Sequence, residues 1–157
     1  MLPTVASRPL TMPPRSGDDP MTDLDIAREQ LAALDATCVL RNGGVQLVSH
    51  QRGVRPLLTW LDEGRDLRGF VAADKVVGNG AAYLYVLLGV AAVHANVMSE
   101  PACATLQRYG IQASCDQLVP GIVNRAGDGP CPIEFTVRDA STPEEALIAI
   151  RTRLATL

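Results

Sequence analysis

From Phe70 onward the chain alternates strand-like and helix-like runs, and this alternation narrows the fold more than any other feature. Phe70–Ala73, Ala91–Met98 and Ile111–Asp116 are apolar runs of strand length. Asp74 ends the first, and a helical run reaches about Leu88. Pro101–Tyr109 forms the next helix, stopped by Gly110 as a C-terminal cap. Strands joined by crossover helices pair in parallel, because the helix carries the chain back to the same end of the sheet.

The flanking segments add to this core. A helix starts at Thr22, with Leu24, Ala27, Leu31 and Leu34 at helical spacing and Asp23 and Asp25 at its positive end. Thr37–Arg41 and Val45–Ser49 flank Asn42-Gly43-Gly44, a hairpin signal because Asn-Gly tolerates positive φ. Pro56–Asp62 is a short helix between Gly53 and Gly64. A long loop, Gln117–Pro130, precedes a short helix near Pro132. Thr142 caps the last helix, Pro143 takes its first position, and Glu144 and Glu145 face its dipole. Leu147, Ile150 and Leu154 form its buried stripe. The expected class is α/β: a three-layer α/β/α domain with a mixed five-stranded sheet.

At 157 residues the chain fits one domain with a full core. Residues 1–20 hold five prolines and no hydrophobic period, so they read as a disordered leader, with Met21 an alternative start and 21–157 the domain. A net charge of -3 and a single Trp60 argue against stable nucleic-acid binding. No apolar run approaches the roughly 18 residues of a membrane span, since Gly89 breaks Ala81–Val93. The four cysteines, 38, 103, 115 and 131, lack C-x-x-C spacing, and only His50 and His94 could add imidazoles, so neither a metal nor another cofactor is expected. No secretory signal pattern opens the chain, which points to a reducing cytoplasm and free thiols, with Cys38 and Cys115 packed in strands.

In such sheets ligands bind beyond the carboxyl ends of parallel strands, beside helix N-termini. Two segments qualify and should lie side by side: Ala73-Asp74-Lys75 and Ser99-Glu100-Pro101. Asp74 could bind a ligand, and Lys75 could hold an anion or, once desolvated, act as a base; the plainer reading is a helix cap beside a solvated lysine. Glu100 could orient an amine or act as a general base, or simply support the helix end. Ser99 is a weaker binding candidate, with capping as its plainer role. Cys131 stands before Pro132, where a helix N-terminus would favour its thiolate; the alternative is burial under the loop. Asn124 and Arg125, in the same loop, could bind an anionic group. Cys103 belongs to helix packing. Gly78-Asn79-Gly80 lacks the phosphate-loop pattern and falls inside the expected helix, where small residues let it sit close to the sheet. Arg52 and Arg55 are weak phosphate candidates.

Met98-Ser99-Glu100-Pro101-Ala102-Cys103-Ala104-Thr105 has the outline of a zinc deaminase's P-C-x-x-C segment, with Ala102 and Thr105 where the cysteines should stand. A deaminase's H-x-E would fall near Asp74-Lys75-Val76. Arg52-Gly53-Val54-Arg55-Pro56-Leu57, Ala73-Asp74-Lys75-Val76-Val77-Gly78, Ser99-Glu100-Pro101, Leu118-Val119-Pro120, Asn124-Arg125 and Gly129-Pro130-Cys131-Pro132-Ile133-Glu134 occur in the order of an uncharacterised prokaryotic family. Over about residues 23 to 155 the chain resembles that family, the domain of unknown function eighteen-ninety-three. The resemblance implies a cytidine-deaminase-like fold without zinc ligands and without an established activity. Without zinc there is no metal-activated water for hydrolytic deamination.

The expectation is a zinc-free protein that binds a small polar molecule, of which a nucleotide or its fragment is one candidate, through Asp74, Lys75, Glu100 and Cys131. A catalytic version would use Cys131 as nucleophile or redox group, with Lys75 or Glu100 handling protons. The competing reading is a non-enzymatic sensor or regulatory protein. Either is compatible with a homo-oligomer.

Overall fold

The computed structural model describes residues 21–156. The expected leader lies outside the described residues. Thr22 starts α1 (Asp23–Ala33) with a reciprocal capping box: its hydroxyl accepts from the Asp25 amide, and its own amide donates to the Asp25 carboxylate. The hairpin follows as β1 (Cys38–Asn42) and β2 (Val45–Ser49), and then α2 (Arg55–Asp62). Two strand–helix steps and a third parallel strand come next: β3 (Val71–Val77), α3 (Asn79–Leu88), β4 (Ala92–Ser99), α4 (Glu100–Arg108) and β5 (Gln112–Val119). The chain closes with α5 (Pro132–Thr136) and α6 (Pro143–Leu154).

The five strands form one sheet in the order β2-β1-β3-β4-β5. β1 runs antiparallel to both neighbours, while β3, β4 and β5 are parallel. Alternating residues of β1 and β3 divide two cores. Val39 and Ala73 face α1, packing with Ala27, Leu31 and Ala36. Cys38, Leu40 and Ala72 face the larger core shared with α2, α3, α4 and α6. The expected α/β class with helices on both faces of a mixed five-stranded sheet is what the chain adopts. Among the described residues, no helix is long and apolar enough to cross a membrane.

Three boundaries differ from expectation, each for a physical reason. β3 does not end at Asp74. Its ladder runs on to Val77, with Cys38 opposite Asp74 on one side and Val76 and Val77 paired to Val97 and Met98 on the other. Asp74 is thus a mid-strand residue and no helix cap. Gly78-Asn79-Gly80 opens α3 instead of lying inside it, with Gly78 as the extended N-cap. The close approach at Gly80 is to α5, not to the sheet: a Cβ there would stand 2.6 Å from Ile133 Cγ2. β5 continues three residues past Asp116, so the long loop begins only at Pro120. Leu34, expected on the buried stripe of α1, is its exposed C-cap.

Candidate ligand-binding cleft

A cleft of about 530 Å³ opens where the carboxyl end of β3 meets the start of α3. Asp74 and Cys38 line its floor. Val54, Ala81, Ile122 and Ile133 add apolar wall, while His50, Arg52, Lys75 and Asp35 bring polar groups.

Asp74 is 8% exposed. The Tyr85 hydroxyl donates to its Oδ2 at 2.6 Å, and the Cys38 sulfur lies 3.2 Å from the same hydroxyl. Burial pushes the Asp74 carboxyl up to about 7. The hydrogen bonds from Tyr85, from the Val76 and Lys75 amides and from Cys38 oppose that rise. Burial, followed by the nearby Asp74 charge, pushes both Tyr85 and Cys38 well above their ordinary ranges. Both therefore stay protonated and remain donors near neutral pH. The carboxyl between them titrates near neutrality, so it can accept a proton from a ligand or give one up.

At the rim, the Lys75 ammonium lies 3.2 Å from the exposed Asp35 carboxylate. His50 Nε2 lies 3.1 Å from the Leu34 carbonyl. Cys131 lines the cleft as the N-cap of α5, but its side chain makes no capping bond. Its amide donates to the Ile122 carbonyl at 2.8 Å, which closes the base of the loop. The helix expected to activate this thiol has only five residues.

Asp74, Lys75 and Cys131 therefore line one cleft, whereas Glu100, Ser99, Asn124 and Arg125 do not. Glu100 is exposed on the first turn of α4. Ser99 is buried and caps α4, accepting from the Ala102 amide at 3.2 Å. Asn124 exchanges hydrogen bonds with Asp128 within the loop, and Arg125 is exposed.

Glu134 is a hub that the sequence reading did not single out. One carboxylate oxygen accepts from the Asn79 amide at 2.9 Å and from the Ser99 hydroxyl. The other accepts from the Ile122 amide at 2.6 Å. The Glu134 carboxylate thus satisfies the free amide at the start of α3, a cap supplied from 55 residues away. Thr105 donates to the Asn79 side chain at 2.5 Å, and Ala102 is fully buried. Ala102 and Thr105, which the sequence reading set against a deaminase's cysteines, thus serve packing and hydrogen bonding. Among the described residues, no three His, Cys, Asp or Glu side chains stand together as a metal site.

A second cleft, about 380 Å³, lies beside α1 and is lined by Asp25, Arg28, Asn96 and Asp116. His94 is buried beneath it, with Nδ1 2.8 Å from Ser114 Oγ and Nε2 3.2 Å from Asp116 Oδ1. Desolvation first, and then the Arg28 charge, lowers the His94 pKa, which favours the neutral ring. Arg28 lies 3.7 Å from Asp116.

Fold and site together define a class: an open α/β sheet with a largely apolar cleft carrying a few polar groups at the carboxyl end of a parallel strand, and no metal cluster among the described residues. The chain belongs to the family described as a domain of unknown function, DUF1893, whose model matches residues 26–154. It is similar to the crystal structure of a DUF1893 family protein from Thermotoga maritima, with a TM-score of 0.75 and 25% identity. The match covers 91% of this chain and 100% of that one. No curated protein matches the chain.

Proposed function

We propose that this cleft binds a small polar molecule and that Asp74 is the group that recognises it. The single observation behind this reading is a nearly buried carboxyl, flanked by two protonated donors, at the floor of an open cleft. Burying a carboxyl costs stability, whereas a ligand donor placed against it recovers part of that cost. A ligand with an N–H or O–H edge facing Asp74, an apolar body against Ile122 and Ile133, and an anionic end toward Arg52 and His50 would match the lining. A nucleotide fragment is one molecule of that description.

Turnover would use Cys131 as nucleophile, with Asp74 or Lys75 moving the proton. Binding without turnover is favoured by the brevity of α5 at Cys131 and by the pairing of Lys75 with Asp35. The second reading is thus a ligand-sensing protein on a deaminase-like scaffold whose metal positions are filled. The cytoplasm, inferred from four free cysteines, is the proposed compartment. Native mass spectrometry of the full chain purified under mild conditions tests binding. The reading expects a small-molecule adduct that is lost in Asp74→Leu; an adduct held equally by that variant would remove Asp74 from the site.

A further inference from the structure

We infer that Glu134 is the positioning residue that holds the outer wall of the cleft in place. Residues 120–136 carry Ile122, Cys131 and Ile133, which form one side of the cleft. This segment follows the end of β5 and includes only the five residues of α5, so few ladder or helix bonds fix it. Its own internal ties are the Val123–Pro130 bridge, the Cys131 amide to Ile122, and the Asn124–Asp128 pair. These shape the segment but do not attach it to the sheet.

The polar attachment is the Glu134 carboxylate. It joins three elements at once: the first amide of α3 through Asn79, the cap of α4 through Ser99, and the loop itself through Ile122. Two of those partners are strand-to-helix turns at the carboxyl edge of the sheet. The glycines opposite fit this contact. At Gly78 a Cβ would stand 3.2 Å from Ile122 and 3.3 Å from the Glu134 carboxylate, and at Gly80 it would stand 2.6 Å from Ile133. Small residues on α3 and one carboxylate on α5 thus form a matched seat. A charge-assisted bond to a helix amide is stronger than a neutral one, and removing the carboxylate leaves three donors without an acceptor. The wall should then lift as a unit while the sheet stays closed. This inference stands whether or not the cleft binds a ligand.

The test uses the full chain carrying Glu134→Ala, read by hydrogen exchange with peptide resolution and by thiol alkylation. Exchange across residues 120–136 and at Asn79 should rise at least about tenfold, whereas amides of β4 keep their protection. Cys38, beneath the wall, should alkylate faster. Sodium formate, a free carboxylate, should restore protection, and sodium chloride at equal ionic strength should not. Unchanged exchange in the wall, an equal rise in β4, or equal effects of the two salts would each overturn the inference. Should the alanine variant fail to fold, Glu134→Gln keeps the shape and replaces one accepting oxygen with a donor. It must show the same local opening to a smaller degree, and a folded Gln variant with unchanged exchange in the wall overturns the inference equally.

Discussion

The Tyr85 hydroxyl on α3 donates a 2.6 Å hydrogen bond to the Asp74 carboxyl on β3, from a helix to the strand beneath it. The bond is buried, and Cys38 on β1 completes the cluster from the neighbouring strand. Asp74 thus sits between the inner core and the cleft, and its ionisation affects both.

Asp74→Asn should change how stability depends on pH. The folded carboxyl titrates at about 7, against 3.8 in an ordinary carboxyl. An acid with a raised folded pKa binds its proton more tightly when folded. Its charged form therefore costs nothing below about pH 4, and that cost grows until it is complete above about pH 7. A shift of about three units corresponds to roughly 4 kcal/mol. Chemical denaturation across that range should show the variant gaining up to roughly that much relative to the parent between pH 4 and 8. A constant difference would mean that Asp74 is not buried as described.

Tyr85→Phe removes the bond that holds the Asp74 carboxyl down, so the carboxyl should titrate higher still. Loss of a donor to a buried partner should also cost about 1–3 kcal/mol. Carbon-13 NMR of the Asp74 carboxyl gives the midpoint directly. A lower or unmoved midpoint would contradict the assigned donor.

Cys131 should alkylate fastest of the four thiols. The reason is access and not a helix field. Cys38 and Cys103 are buried, and burial pushes Cys103 up to about 11. Cys115 is raised by burial and then by the Asp116 charge. Peptide mass spectrometry after graded alkylation ranks them, and Cys38 or Cys103 reacting first would show a different packing.

Gly80→Ala should loosen the contact between α3 and α5. Alanine gains up to about 1 kcal/mol of helix propensity, but its Cβ would stand 2.6 Å from a β-branched methyl that cannot swing away. Overpacking of this kind typically costs about 1–3 kcal/mol, so a net loss is expected. In an Ile133→Ala background the same change should become neutral or stabilising. An equal loss in both backgrounds would mean that Ile133 is not the obstacle.

The sheet and its helices were legible because periodicity and caps are local. Thr22, Gly110 and Thr142 announced helix ends without knowledge of the fold, and Asn42-Gly43 announced the hairpin. Asp74 was legible as a candidate, but its place within the strand was not. A polar residue after an apolar run reads as a strand end, and only the ladder to Cys38 and Ala95 shows the strand continuing through it. Tyr85 and Glu134 were harder to find. Tyr85 reaches Asp74 from eleven residues away and Glu134 reaches Asn79 from 55, so no spacing rule joins them. The Gly78-Asn79-Gly80 step was the available signal, since glycines at a helix start mark a close approach. Ser99 ends the strand next to β3 and Glu100 opens α4, yet only Ser99 is tied to the cleft wall, through Glu134.

Ligand binding in the cleft stands or falls with Asp74. The most direct test is to follow its carbon-13 carboxyl resonance while fractionated small molecules from a cell extract are added to the full chain at pH 7. One fraction should move the Asp74 resonance and shift its titration midpoint, with little change at Asp128 in the outer loop. An Asp74 resonance that stays fixed through every fraction, in a protein that remains folded and titrates near 7, would contradict it.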